Sequence, residues 1–156
     1  EMAYGQGMDP VHGVMKAAST VKGPGKILYA DQSDNALLLS ADAKFPLGIS
    51  AGESSRTDGT LDAAGATVSY YPLGGVLMVQ SAASQTYKPG MIVYAGADGL
   101  ALDSQDNSEK KLGIYVGKVM SSATAALVVN GAGDSGATEG QMVLVNTAFA
   151  EAGHNA

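Results

Sequence analysis

Residues 24 to 31 read PGKILYAD, and residues 89 to 96 read PGMIVYAG, 65 positions further along a chain of 156 residues. A second piece returns at the same offset, since Leu47-Gly48-Ile49 is followed by Leu112-Gly113-Ile114. With this shift Pro24, Gly25, Ile27, Tyr29, Ala30, Ala36, Leu37, Leu47, Gly48 and Ile49 meet identical residues, ten matches in a window of 26. Pro followed by Gly suits a type II turn, where Pro fixes φ at the second position and Gly supplies the positive φ of the third. The residues after the turn alternate, so Ile27 and Tyr29, like Ile92 and Tyr94, share one face of a strand. Gly48 and Gly113 sit inside strand patterns, where glycine marks a bulge or a close backbone approach. The repeat reads as a duplicated β-unit with equivalent core positions in two halves of one fold.

Working outward, strands are expected at Lys26–Ala30, Ala36–Ser40, Leu47–Ser50, Thr67–Tyr71, Gly75–Gln80, Met91–Ala95, Leu100–Asp103, Leu112–Lys118, Ala125–Asn130 and Met142–Asn146. They are short, evenly spaced and separated by Gly, Asp, Asn and Ser, the pattern of a sandwich or barrel. Asp98-Gly99 carries the best hairpin signal, and no long amphipathic helix interrupts the series. The expected fold is all-β: a compact sandwich or barrel with an internal duplicated β-unit and an extended N-terminal arm. The arm is placed at residues 1–20 and the β domain at 21–146, with repeat halves at about 21–80 and 86–130. A tail follows at 147–156.

The length suits one domain. Charged residues make up 15% of the chain, against a usual value of about 25%, so Ala, Ser, Thr and Gly, or another protein, are expected to cover part of the surface. A net charge of -6 and a single arginine, Arg56, argue against nucleic-acid binding, which needs clustered cations to replace counterions. The absence of cysteine excludes disulfides, thiol chemistry and thiolate zinc sites. No apolar run is long enough for a membrane helix, and the first twenty residues lack the basic start and apolar stretch of a signal peptide.

Two enzyme readings attach to GAGDSG at residues 131–136. As G-x-G-x-x-G it imitates a dinucleotide loop, but the helix that would hold a pyrophosphate is replaced by ATEGQMVLVN and another strand. The inner GDSG resembles the nucleophile segment of chymotrypsin-like serine proteases and would make Ser135 the nucleophile. A triad also needs a rigidly held histidine, and His12 and His154 both lie near chain ends. The acids Asp31/Asp34, Asp58/Asp62 and Asp103/Asp106 stand in Ser-, Asn- or Gly-containing loops without a twelve-residue calcium pattern. Turn chemistry accounts for them. Tyr70-Tyr71 offers at most one ring to a sugar. No catalytic residue, metal site or cofactor is assigned.

The segment EMAYGQGMDPVHGVMKAAST carries Met2, Tyr4, Met8, Val11, Val14 and Met15 among glycines that break any period. A solvated tail is usually more polar, and methionine adapts to irregular contact surfaces. The segment reads either as an arm that orders on a partner or as a terminus lying on its own domain. Taken together, the Ala/Gly-rich β chain, the G-x-x-V/I-Y segments Gly25–Tyr29 and Gly90–Tyr94 leading to LGI, the strand Ala66–Tyr70, the Gly74-Gly75 turn and the strand Val76–Val79 resemble the head decoration, or cement, proteins of tailed bacteriophages. The resemblance covers about residues 20–130. It implies a non-enzymatic protein on the outer capsid surface of the virion, assembled in the host cytoplasm. It further implies a homotrimer that binds the major capsid protein and stabilises the shell by bridging subunits, with neither nucleic acid nor membrane as partner. Met2, Tyr4, Met8, Val11 and Phe149 are the candidate contacts. The alternative is a virion-surface or secreted β-sandwich that binds a cell-surface glycan.

Overall fold

The computed structural model describes residues 13–31, 36–38, 44–61, 65–120, 128–130, 133–153 and 155. Among them the chain forms β1 (Gly13–Ala17), β2 (Ile27–Asp31), β3 (Ala36–Leu38), β4 (Pro46–Ser50), β5 (Thr67–Pro72), β6 (Val76–Gln80), β7 (Thr86–Tyr87), β8 (Ile92–Ala95), β9 (Ala101–Leu102), β10 (Lys110–Met120), β11 (Val128–Asn130), β12 (Asp134–Ser135) and β13 (Met142–Asn146). Two single 3-10 turns, Ala97–Gly99 and Thr147–Phe149, complete the elements. The fold is all-β, and every strand expected from sequence overlaps an observed one.

The first five strands close into a barrel in the order β1-β3-β2-β4-β5, and β6-β13-β10-β8-β9 form a second sheet with β11 added to β10. The duplication is visible pair by pair. Strand β2 meets β4 at Ile27↔Ile49, Leu28↔Gly48 and Tyr29↔Pro46, while β8 meets β10 at Ile92↔Ile114, Val93↔Gly113 and Tyr94↔Lys111. The register steps over Leu47 in one ladder and over its counterpart Leu112 in the other. The Gly25 N–H donates to the Ser50 carbonyl and the Ser50 N–H to the Lys26 carbonyl; Gly90, Tyr115 and Met91 repeat both bonds. A parallel contact occurs in both units: Lys16↔Ala36 and Ala17↔Leu37 close the barrel, and in the second sheet there is a single bridge, Ser81↔Ala101.

The units diverge at their last strand. Ile49↔Tyr71 corresponds to Ile114↔Asn146, and Tyr71 and Asn146 lie 75 positions apart. The extra length holds the rest of β10, β11 and β12. Each repeat therefore contains a β1-like opening strand: residues 13–17, within the span read as an arm, build the barrel, and Val76–Gln80, read as the end of the first half, opens the second sheet. Glycines around β1 hide its alternation, with Met15 and Ala17 inward and Val14 and Lys16 outward.

Two cores result. Ala17, Val21, Leu28 and Val68, with Met15, Leu47 and Tyr70, come from opposite walls of the barrel and so fill it. The other core joins Val79, Val93, Ala95, Leu112, Val143 and Val145 of the second sheet to Ile27, Tyr29 and Ile49 on the outer face of β2 and β4. Alternation along β2 thus sends Leu28 into one core and its two neighbours into the other. The seam is hydrogen-bonded as well as apolar. Tyr29 Oη donates to the Gly96 carbonyl (2.9 Å), Lys26 Nζ to the Asp98 carbonyl (3.0 Å) and Gln80 Nε2 to the Pro24 carbonyl (2.7 Å).

Candidate partner-binding surface

Strand β6 reads VLMVQ, with no polar residue on the outward positions Val76 and Met78, which are 52% and 37% exposed. Its register with β13 pairs Val76 with Asn146. The Asn146 side chain accepts from the Ala148 N–H (3.1 Å) and so starts the turn Thr147–Phe149. The Thr147 hydroxyl donates to the Gly75 carbonyl (2.6 Å) and accepts from the Gly74 N–H (3.0 Å), fastening this turn to the approach of β6. Phe149 stands at its end, 62% exposed. Three large apolar side chains are thereby carried to one margin of the second sheet. The Gly74-Gly75 segment connects β5 to this margin.

Phe45, the other phenylalanine, is half-buried: Lys110 Nζ lies 4.7 Å above its ring, and its backbone is clasped by Asn155. Phe149 is the more exposed of the two. Val14, on the opening strand of the first unit, is a further exposed apolar residue at 61%. Val76, Met78 and Val14 were not among the candidate contacts named from sequence. The signal was there in β6, where apolar residues occupy both alternating faces, but that pattern equally describes a strand buried on both sides. Of the candidates named from sequence, Phe149 lies on the described surface, and Met2, Tyr4, Met8 and Val11 lie outside the described residues.

The chemistry-bearing motifs take structural places. Asp134 is buried, with Gln141 Nε2 donating to its carboxylate, whereas Ser135 is exposed and pairs with Thr86 in the small β7–β12 sheet. His12 and His154 lie outside the described residues. Asp58 accepts from the Thr60 N–H (2.9 Å), which is the turn chemistry expected of it, whereas Asp103 accepts from the Thr86 N–H (2.6 Å), 17 positions away, and ties two segments together. Among the described residues no three acids, histidines or cysteines are gathered to hold a metal ion. Tyr70 packs with the barrel core, beside Gly13 and Gly48, where a Cβ would collide with its ring.

The phenols of the second unit are structural. Tyr87 and Tyr115 stack with centroids 5.2 Å apart and planes at 8°. The Tyr87 hydroxyl donates to the Ala101 carbonyl (3.0 Å) and shares a bond with the Ser81 hydroxyl (2.7 Å). Burial pushes Tyr87 far above the ordinary phenol range and Tyr115 up to about 12. Both stay neutral at physiological pH, as packing side chains rather than bases.

No protein-family model matches the chain, and no curated protein matches it in sequence. Among solved structures it is similar to the head fiber gp8.5 N base of bacteriophage phi29, at 22% identity over 94% of this chain and 100% of that one, with a TM-score of 0.48. Likeness at this level does not say what this chain binds.

Proposed function

We propose that the chain is a non-enzymatic capsid decoration protein that attaches to the outer surface of a tailed-phage head and bridges major capsid protein subunits. The observation that carries this reading is the apolar margin of Val76, Met78 and Phe149, fixed by a hydrogen-bonded turn on a chain of low charge. The resemblance of the repeated G-x-x-V/I-Y and LGI segments to cement proteins supplies the kind of partner. The mechanism is mechanical: a standard interface buries about 1,600 Å², and a homotrimer multiplies it by avidity, raising the barrier to separation of neighbouring shell subunits. In this reading residues 1–12 form the arm and add Met2, Tyr4, Met8 and Val11 to the contact, ahead of a β domain that begins at β1.

Co-sedimentation with mature, expanded heads lacking the protein tests this. Saturable binding at a fixed ratio to the major capsid protein is the expected result, and Phe149→Ala should weaken it about 5- to 30-fold, as for an interface anchor contributing ~1–2 kcal/mol. Removal of residues 1–12 should also lower occupancy while leaving β1 whole. Heads of the correct phage that bind nothing, together with glycan binding by the isolated protein, would replace this reading with the glycan-binding sandwich.

A further inference from the structure

Past the turn Thr147–Phe149 the chain leaves the second sheet and returns to the first unit without forming another strand among the described residues. The Glu151 N–H donates to the Lys111 carbonyl (2.9 Å), and the Lys111 N–H donates back to Glu151 Oε1 (3.2 Å). Two residues further on, Gly153 lies against the Phe45 ring, where a Cβ would stand 2.5 Å from three ring carbons. Asn155 then reaches Phe45, next to β4, and Ala30 of β2. Between the hydrogen bonds of Glu151 and those of Asn155, Ala152 and Gly153 are exposed.

The place that Asn155 fills is the unfinished end of a ladder. Strands β2 and β4 pair as far as Tyr29↔Pro46. Proline has no N–H to carry the pairing on, and the next rung, Ala30 opposite Phe45, is not made. The chain presents there one donor, the Phe45 N–H, and two acceptors, the carbonyls of Phe45 and Ala30. The Asn155 carboxamide is their complement. Its oxygen accepts from the Phe45 N–H (2.7 Å), and Nδ2 donates to the carbonyls of Phe45 (3.0 Å) and Ala30 (3.3 Å). Only a carboxamide offers this set on one small group, since a carboxylate accepts without donating and an ammonium donates without accepting.

We infer that this end of the β2–β4 ladder is a peptide-recognition slot for a Gly-x-Asn segment, and that the tail is its docked ligand rather than part of the folded core. Selectivity comes from two features: the three bonds to the carboxamide, and the lack of room for a side chain two residues before it. The tail is held by few bonds and its connecting residues are exposed, the marks of a segment that opens locally at low free energy. An open slot accepts the same segment from a second copy, the exchange that underlies domain swapping. The bonds of the Thr147 hydroxyl to Gly74 and Gly75 remain, so opening frees only the far end of the segment that carries Phe149. The inference concerns the isolated chain and does not depend on capsid attachment.

Amide hydrogen exchange at Phe45 reads the slot in the full chain. Asn155→Ala should speed exchange of the Phe45 N–H about 10-fold, as loss of one protecting hydrogen bond does. The variant should keep the far-ultraviolet circular dichroism and the cooperative unfolding of the parent. An acetylated peptide of residues 150–156, AEAGHNA, added to this variant at ~5 mM, comparable with the effective concentration of a tethered segment, should restore the protection. The same peptide carrying Asn155→Asp, or carrying Gly153→Ala, should not. Exchange at Phe45 that is unchanged in Asn155→Ala would overturn the inference, because the tail then does not occupy the slot. A variant that fails to fold would overturn it as well, since the tail would be part of the core. Protection that the parent peptide does not restore, or that the altered peptides restore equally, would remove the slot or its selectivity.

Discussion

Gly113 has no room for a side chain. A Cβ there would run into the Asn146 carbonyl and Val145 Cγ1, and at the equivalent Gly48 it would meet the Tyr71 carbonyl and the Tyr70 ring. Both glycines follow the leucine that the ladder with β2 or β8 steps over, and the close approach is to the strand on the other side, β5 or β13. Gly113→Ala forces backbone apart and should destabilise by about 2–3 kcal/mol, at the upper end of overpacking effects, read as a lowered denaturant midpoint. Tyr87→Phe keeps the stack on Tyr115 but removes the hydroxyl between Ser81 and the Ala101 carbonyl. Leaving those groups short of a partner should cost about 1–3 kcal/mol. Glu109, 2% exposed, brings pH into the fold. Burial pushes its carboxyl up, but the N–H groups of Asn107 (2.8 Å) and Asp106 (2.9 Å) outweigh that and hold it below its ordinary value. Its contribution is therefore complete above the unfolded glutamate pKa of about 4.3 and fades as pH falls through the lower folded value. Glu109→Gln should be less stable than the parent at pH 7, and the gap should close in acid when both are unfolded by denaturant across that range.

The two Pro-Gly turns make a matched experiment at the scale of elements. An alanine at either position has to adopt a left-handed φ, a strain of about 1–2 kcal/mol. Gly25→Ala should cost measurably more than Gly90→Ala, because Met142 and Gln80 crowd the first site and nothing described crowds the second. Equal melting temperatures for the two variants would contradict the docked turn. These turns were legible in the sequence because Pro and Gly state their backbone angles, and so was the hairpin at Asp98-Gly99, where φ is 59° and 69°. Strand β1 was not, since Gly13 and the glycines before it break the alternation and Val14 faces outward. Strands β7 and β12 hold two residues each, too few for any period. The correspondence of β5 with β13 was hidden by the longer connection and by unlike residues, such as Tyr70 against Val145. At the candidate surface Phe149 was legible as a lone aromatic in a small-residue tail, whereas identical residues at Ile27 and Ile92 carry no sign that one is buried and the other partly exposed.

For the whole molecule, the outer face of β2 and β4 makes one body of two similar units, since it belongs to the core of the second sheet rather than to its own barrel. A single cooperative unfolding transition is expected, with calorimetric and van't Hoff enthalpies in agreement; two separated transitions would show that the seam is weaker than either core. The Asn155 side chain adds a clasp between the last residues and the barrel, accepting from the Phe45 N–H (2.7 Å) and donating to the carbonyls of Phe45 (3.0 Å) and Ala30 (3.3 Å). Strand order gives this arrangement a consequence during synthesis. The ribosome releases all five barrel strands before β6 emerges, yet among the described residues β6 has its ladder partner in β13, the last of the thirteen strands. Throughout that interval Ile27, Tyr29 and Ile49 have no second core to enter, and a nascent barrel displays an apolar face on the crowded polysome. Newly made chains are therefore most exposed to misassembly with one another while β8 to β13 are still being translated. Slowing elongation over that stretch should lower soluble yield, an effect that no measurement on the finished protein would reveal.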